Sequence, residues 1–139
     1  MRRLSDIVLN QQPLTMPATA TVQEACAQMA KRQVGSVLVT DDVGRLLGIF
    51  TGRDAVGRVL AAGKDGRAVM LGEAMTRNPE TMSPDHTALD ALRLMWDGGF
   101  RHIPLIKAGR VVGVVSRGDF KGIEHEYHQK ERELWEHLR

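Results

Sequence analysis

The sequence has few aromatic residues, one cysteine and almost no net charge. Its 139 residues include three Phe, two Trp and one Tyr, and the formal net charge is +2. Single-stranded nucleic-acid sites place several aromatic side chains on a basic surface, so this composition argues against a nucleic-acid partner. The single cysteine, Cys26, excludes an internal disulfide framework and fits a reducing compartment.

Long apolar runs are also lacking. No stretch approaches the roughly 18 apolar residues that a membrane span needs. The start, MRRLSDIVLN, has two arginines but lacks the apolar run of a secretory signal. We therefore predict a cytoplasmic protein with no membrane partner. Hydrophobic residues make up 42% of the chain and charged residues 26%, which indicates a globular core of small and aliphatic side chains in layers of sheet and helix.

The chain contains an internal repeat. The segment from Gly44, GRLLGIFTGRD, matches the segment from Gly109, GRVVGVVSRGD. Upstream blocks match in the same order: VGSVLV with RHIPLI, TVQEACAQM with TALDALRLM, and PLTM with PETM. Matching blocks along nearly the whole chain indicate a duplicated unit.

Each repeat has the predicted order βαββα. The predicted strands are residues 14–16, 36–40 and 46–50 in the first repeat and 80–82, 103–106 and 111–115 in the second. The last strand of each repeat is almost wholly apolar, so we expect it to be buried on both faces. A second helix is predicted to begin near Gly52 and near Gly118.

Helical spacing predicts which side chains of the first helix of each repeat face the core. These are Val22, Ala25, Cys26 and Met29 in the first repeat, and Leu89, Leu92 and Trp96, with Met95 alongside, in the second.

A further helix is predicted from Phe120 to the C-terminus. Its apolar side chains recur at helical spacing and form a stripe that needs a partner. The stripe consists of Ile123, Tyr127, Leu134 and Leu138, with Trp135 adjacent. Two partners fit equally well: the helix's own domain, or a second copy in a dimer.

The repeats share the motif G-h-x-[TS]-x-x-D, in which h is apolar. The two instances are Gly48-Ile49-Phe50-Thr51-Gly52-Arg53-Asp54 and Gly113-Val114-Val115-Ser116-Arg117-Gly118-Asp119. Two βαββα repeats with this motif resemble the CBS domain pair, or Bateman module. The segments FRHIPL and LGEAMTRNP are typical of its second repeat. The resemblance covers about residues 4–122.

The resemblance implies an α/β (α+β) fold of two CBS repeats related by a pseudo-two-fold axis, followed by the C-terminal amphipathic helix. We predict the first repeat over residues 1–62, a linker over 63–72, the second repeat over 73–122 and the C-terminal helix over 123–139.

The resemblance also implies a function. It predicts an adenosine-nucleotide-binding regulatory or sensor module, and not an enzyme. The implied ligands are AMP, ADP, ATP, NAD(H) or S-adenosylmethionine, and no cofactor is required. Binding would change the arrangement of the repeats or of a homodimer, and the module would regulate another protein that the sequence does not identify.

Two ligand sites are predicted around the motif. An ionised Asp accepts hydrogen bonds from both ribose hydroxyls, which suits Asp54 and Asp119. Hydroxyl and guanidinium groups at a strand-to-helix junction suit ribose and phosphate. By the resemblance, Thr15, Met16, Ser36 and Val37 line the adenine slot of the first site, which also comprises Thr51, Arg53 and Asp54. By the same resemblance, Thr81, Met82, His102 and Ile103 line the adenine slot of the second site, which also comprises Arg101, Pro104, Ser116, Arg117 and Asp119.

The two sites are not equivalent. Pro104 matches the pattern of the family, whereas the first repeat has Val37 at that position. We therefore favour the second site for the adenine, with double occupancy left open.

Other interpretations of the same residues remain. The [TS]-x-x-D spacing is also that of a helix capping box, and capping is compatible with binding. His125 and His128 form HExH and not the HExxH of metalloproteases, so we predict no metal and no catalytic set. The alternative function is a protein-interaction or assembly module with vestigial ligand sites, which the amphipathic C-terminal helix motivates.

Overall fold

The computed structural model describes residues 1–138; Arg139, the last residue of the predicted C-terminal helix, lies outside the described residues. The elements, in chain order, are α1 (Leu4–Ile7), β1 (Thr15–Met16), α2 (Val22–Arg32), β2 (Ser36–Thr40), β3 (Leu46–Thr51), α3 (Gly52–Asp54) continued by a π-helix (Ala55–Leu60), α4 (Leu71–Ala74), β4 (Thr76–Arg77), α5 (Ala88–Gly98), β5 (His102–Lys107), β6 (Arg110–Ser116), a 3₁₀ turn (Arg117–Asp119) and α6 (Gly122–Leu138). None of the helices within residues 1–138 is long and apolar enough to cross a membrane.

The matching blocks TVQE and TALD begin equivalent helices. Thr21 accepts a hydrogen bond from the N–H of Glu24, whose carboxylate accepts from the N–H of Thr21. Thr87 and Asp90 form the same reciprocal pair at the start of α5. Each pair satisfies two backbone N–H groups that the first turn leaves without a partner, so both helices begin at the same position of the repeat.

One compact unit, here named the first-repeat unit, comprises Gln12–Glu80 with Ala108–Val111. Its four strands form one sheet in the order β1-β2-β3-β4. β1 runs parallel to β2, and β3 is antiparallel to both β2 and β4. The core face predicted for α2 is confirmed: Val22, Ala25 and Met29 are buried, and Cys26 packs against them.

The other compact unit, here named the second-repeat unit, comprises Met1–Gln11, Thr81–Lys107 and the chain from Val112 onward. It contains β5 and the part of β6 from Val112 onward, which pair in a two-stranded sheet. Met82 adds an isolated parallel bridge to β5. Leu4 and Val8 belong to its core, so the start of the chain packs with the second repeat. The boundaries at residues 62 and 72 stay a prediction, because both compact units are discontinuous in sequence.

The core face predicted for α5 was wrong in part. The buried residues are Ala88, Ala91, Leu92 and Met95. Trp96 is 47% exposed, because its ring packs against α6 and not into the core. There the guanidinium of Arg132 lies 3.2 Å from the centre of the indole ring, a cation–π contact.

The prediction that β3 and β6 are buried on both faces was also wrong. Leu47 and Val112 are exposed, near the start of each strand. Burial is confined to Gly48–Phe50 in β3 and to alternate residues, Gly113 and Val115, in β6. The apolar run of each strand therefore extends beyond the part that its neighbours cover.

The motif glycines allow a neighbouring segment to approach these strands closely. A Cβ on Gly48 would lie 2.7 Å from the carbonyl oxygen of Thr76 and 2.6 Å from the sulfur of Met75. A Cβ on Gly113 would lie 2.9 Å from the Cβ of Val8. No larger residue fits either position without movement of the segment beside it.

We expect Gly48→Ala to lower the free energy of unfolding by about 1–3 kcal/mol, because overpacking forces the surrounding backbone to shift. Gly52→Ala is the matched control, since a Cβ on Gly52 would meet nothing within 4 Å. Denaturant unfolding of both variants measures the difference. Equal stability of the two variants would show that the close approach at Gly48 is not a constraint.

Helix α6 packs on the second-repeat unit through polar contacts. The carboxylate of Glu124, which is 2% exposed, accepts a hydrogen bond at 2.7 Å from Nη2 of Arg2 and another from the N–H of Lys121. Farther along, Arg93 pairs with Glu131 at 2.6 Å. The C-terminal helix is thus confirmed over Gly122–Leu138, but its predicted apolar stripe is exposed and does not make this contact.

The pair of Glu124 with Arg2 predicts a pH dependence of stability. The hydrogen bond from Arg2 holds the pKa of Glu124 below its ordinary value of 4.5, against the opposing effect of burial. A carboxyl group whose pKa is lowered by folding stabilises the folded state above its ordinary pKa, and this contribution is lost as the pH falls through the lowered pKa. We expect the melting temperature of the wild type to fall more steeply below about pH 4.5 than that of Glu124→Gln. Parallel slopes for the two proteins would contradict this assignment.

Candidate functional site

The structure places five of the residues predicted for the first site on neighbouring strands. Thr15 and Met16 form β1, which pairs with β2. Ser36 at the start of β2 lies directly opposite Thr51 at the end of β3. The side chain of Val37 is fully buried in the core, which leaves only its backbone available to a ligand.

The carboxylate of Asp54 is already engaged. Its Oδ2 accepts from the N–H and the hydroxyl of Thr51 at 3.0 and 3.2 Å. Its Oδ1 accepts from the hydroxyl of Thr76 at 3.2 Å and lies 3.4 Å from Nε of Arg58. A carboxylate offers about four lone-pair positions, and these three hydrogen bonds and one ion pair engage most of them. The capping interpretation is confirmed at this position, and the neighbouring Arg53 is exposed.

The predicted second site surrounds the β5-β6 hairpin. The N–H of Met82 donates to the carbonyl of Pro104 at 3.1 Å, and the N–H of Ile106 donates to the carbonyl of Met82 at 2.9 Å. The segment from Thr81 therefore runs beside β5. Ile103 and Pro104 are buried, whereas Thr81 is exposed.

Asp119 has the same position in the motif as Asp54 but different surroundings. Among residues 1–138, its carboxylate accepts one hydrogen bond, at 2.7 Å from the N–H of Ser116 to Oδ2. The side chain is exposed. Arg2 donates to the main-chain carbonyl of Asp119 at 3.2 Å. The second carboxylate therefore keeps lone pairs for an outside donor.

Cationic and neutral donors lie near Asp119. The N–H of Arg117 donates to the carbonyl of Arg101 at 2.9 Å, which brings these two exposed arginines next to each other. Burial lowers the pKa of His102, and the nearby carboxylate of Asp119 only partly offsets it. The imidazole is consequently neutral at neutral pH and presents one donor and one acceptor.

Sequence reasoning missed three residues around the two carboxylates. Arg58 follows Asp54 by four residues on a helix, a spacing that brings side chains together, so it was accessible to prediction. Thr76 and Arg2 are 22 and 117 residues from the aspartates that they contact. No local pattern indicates contacts over such separations.

A separate cleft of about 280 Å³ lies on the first-repeat unit. It contains none of the residues predicted for either site and is lined by Val22, Gln23, Cys26, Ala55, Val59, Leu60, Asp65, Gly66 and Arg67. Burial raises the pKa of the Cys26 thiol, so the thiol is protonated at neutral pH and is a poor nucleophile.

Two histidines of the C-terminal helix, His125 and His128, make aromatic contacts. His128 packs edge-on against Trp96, with ring centres 6.3 Å apart, and His125 packs in the same way against Phe120. Within residues 1–138, no group of three or more His, Cys, Asp or Glu side chains is arranged to bind a metal ion.

Proteins that are similar to this chain in sequence or in structure are described as CBS domain proteins. A "CBS domain-containing protein" of Arabidopsis thaliana, CBSCBSPB3, is 40% identical over 102 residues, which are 73% of this chain. The match covers 18% of that relative, so this chain spans less than a fifth of its length.

Two solved structures have the same fold. A CBS domain protein from Pyrobaculum aerophilum, complexed with AMP, matches with a TM-score of 0.81 and 25% identity, over 92% of this chain and 98% of that one. The CBS domain pair of protein MJ0100, in complex with 5-methylthioadenosine and S-adenosyl-L-methionine, matches with a TM-score of 0.77 and 26% identity, over 90% and 98% of the two chains.

The family model of the CBS domain matches twice, over residues 4–61 and 71–125. These ranges contain both copies of the motif and both aspartates. The chain therefore belongs to the CBS-domain family as a tandem pair of CBS domains.

Proposed function

We propose that this CBS pair is a regulatory module that binds an adenosine nucleotide at the second-repeat unit. The observation that carries the proposal is the carboxylate of Asp119, which is exposed and accepts a single hydrogen bond from the described residues. The 2′- and 3′-hydroxyls of a ribose are two adjacent donors, and an ionised carboxylate is the acceptor that binds both most strongly.

A comparison of Asp54 with Asp119 makes the first site the weaker candidate for ligand binding. Asp54 has the equivalent position, but Thr51, Thr76 and Arg58 already supply its carboxylate with donors. A ribose would have to displace at least one of these groups, and each lost hydrogen bond to a charged group costs about 1.5–3 kcal/mol. Occupancy of the first site is therefore expected only at higher ligand concentration.

The charges near Asp119 favour a ligand that carries phosphate. Arg101 and Arg117 are exposed and adjacent, and Arg2 reaches the main chain of Asp119. Guanidinium groups bind phosphate oxygens with charge-assisted hydrogen bonds. We therefore expect AMP, ADP, ATP or NAD(H) to bind more tightly than S-adenosylmethionine, whose sulfonium is positively charged.

Relatives support this class of ligand. Two of the solved CBS proteins that match this chain are complexes with adenosine ligands, one with AMP and one with 5-methylthioadenosine and S-adenosyl-L-methionine. We further propose a non-catalytic, cytoplasmic module that forms a homodimer and regulates another protein. The ligand would need different affinities for two arrangements of the repeats or of the dimer to act as a signal.

A second candidate function is a protein-interaction or assembly module whose ligand sites are vestigial. The exposed apolar side chains of α6 favour it, since contiguous apolar surface marks interaction sites. A binding experiment distinguishes the two functions, because only the nucleotide-binding function requires a nucleotide to stabilise the fold.

We expect millimolar AMP, ADP, ATP or NAD(H) to raise the melting temperature of the protein, because a ligand that binds only the folded state stabilises it. S-adenosylmethionine is the matched adenosine ligand without phosphate, and we expect a smaller shift with it. Differential scanning fluorimetry measures both. The absence of a shift with all of these ligands would refute the nucleotide proposal and leave the assembly function.

Asp119→Asn should weaken nucleotide binding about tenfold or more, because it replaces a charge-assisted hydrogen bond to ribose by a neutral one. Asp97→Asn removes the same charge from an exposed position on α5 of the same unit and is the matched control. Isothermal titration calorimetry with AMP compares the three proteins. Equal affinities of wild type and Asp119→Asn for AMP would show that the ligand does not contact this carboxylate.

A further inference from the structure

Helix α6 has an apolar stripe that its own unit does not cover. The stripe consists of side chains that are between 57% and 67% exposed: Ile123, Tyr127, Leu134, Trp135 and Leu138. All of them except Trp135 recur at intervals of four and seven residues along one face, and the stripe is about 22 Å long. Exposed apolar surface of this extent marks an interaction site.

The side of α6 that does pack is polar. Glu124 and His128 are buried, Glu131 pairs with Arg93, and Arg132 covers the ring of Trp96. These contacts fix the rotation of the helix about its axis. They direct the apolar stripe away from the unit, although burial of apolar groups is ordinarily what docks an amphipathic helix.

We propose that this stripe pairs with the same stripe of a second copy of this chain, with the two α6 helices antiparallel. The choice of a second copy as the partner rests on the homodimer of the proposed function. The surface itself is inferred from the exposure of α6.

The size of the stripe suits a dimer. Each of its five side chains leaves more than half of its surface exposed, which amounts to on the order of 600 Å² in each copy, given side chains of about 200 Å². Self-pairing would bury this area on both copies, or roughly 1,200 Å², which is at the lower limit for specific interfaces.

The charges beside the stripe also suit a second copy. Glu126, Lys130 and Glu133 follow one another at helical spacing along one edge of the stripe. In antiparallel pairing about the middle of the stripe, Lys130 lies about 3 Å along the axis from Glu133 of the second copy. This ion pair forms twice by symmetry. Parallel pairing instead places this edge on opposite sides of the helix pair, so that Lys130 does not face Glu133 of the second copy.

Leu134→Glu in the full chain tests the apolar part of the proposal. We expect the wild type to be a dimer and the variant to dissociate about a hundredfold more readily, since each dimer loses two buried leucines. Leu9→Glu is the matched control, because Leu9 is an exposed leucine of the same unit outside α6. Analytical ultracentrifugation over a range of concentrations measures the dissociation constants, and circular dichroism verifies the fold.

The possible outcomes separate this proposal from the proposed function. A dimer that Leu134→Glu leaves intact would overturn the α6 interface while the homodimer stands. A wild type that remains monomeric at all concentrations would overturn both. In that case, slow hydrogen exchange over residues 123–138 would identify packing within the chain as the alternative.

A charge exchange tests the antiparallel register. Lys130→Glu and Glu133→Lys should each weaken the dimer, because each variant places like charges opposite one another. An equimolar mixture of the two variants should restore a dimer, since in the mixed pair a carboxylate faces an ammonium group in both halves of the interface. Failure of the mixture to dimerise, with both single variants weakened, would overturn the antiparallel arrangement.

Discussion

The close approach of a neighbouring segment to one glycine in each repeat constrains the rest of the structure. Met75 and Thr76 lie against Gly48, and Val8 lies against Gly113. Beside these contacts, β4 pairs with β3, and the side-chain amide of Gln11 bonds to both the N–H and the carbonyl of Val114. Residues 75–77 and 2–11, here named the covering segments, lie against the last strand of each repeat near the point at which the chain turns toward its aspartate.

The two copies of the motif then differ because their covering segments differ. The segment over β3 brings Thr76 to Asp54, so that carboxylate becomes part of the internal structure. The segment beside β6 carries Arg2, which donates a hydrogen bond to the main-chain carbonyl of Asp119. The carboxylate of Asp119 accepts only from the N–H of Ser116 among the described residues. The same seven-residue motif therefore yields a largely engaged structural carboxylate in one repeat and a chemically available one in the other.

The features predicted correctly from the sequence are those set by local pattern. Repeat blocks and apolar runs located five of the strands to within about one residue at each end, and helical spacing located α2 and α5. The face of α5 was predicted incorrectly because a tryptophan can pack against another helix as readily as into a core. The packing of the first eleven residues with the second repeat depends on contacts between distant segments, and no periodicity encodes it. The availability of Asp119 depends on those same contacts, so the motif predicted its position but not its environment.

Arg2 connects the candidate site with the C-terminal helix. Its guanidinium bonds the carboxylate of Glu124 at the start of α6 and the carbonyl of Asp119. A phosphate that attracted Arg2 would compete with Glu124 for the same donors, so ligand binding and the docking of α6 would oppose each other. By thermodynamic linkage, the change that the ligand causes in the free energy of α6 docking equals the change that docking causes in the free energy of ligand binding. Because α6 carries the apolar stripe of the proposed dimer, this one side chain would couple the proposed nucleotide site to the proposed assembly state.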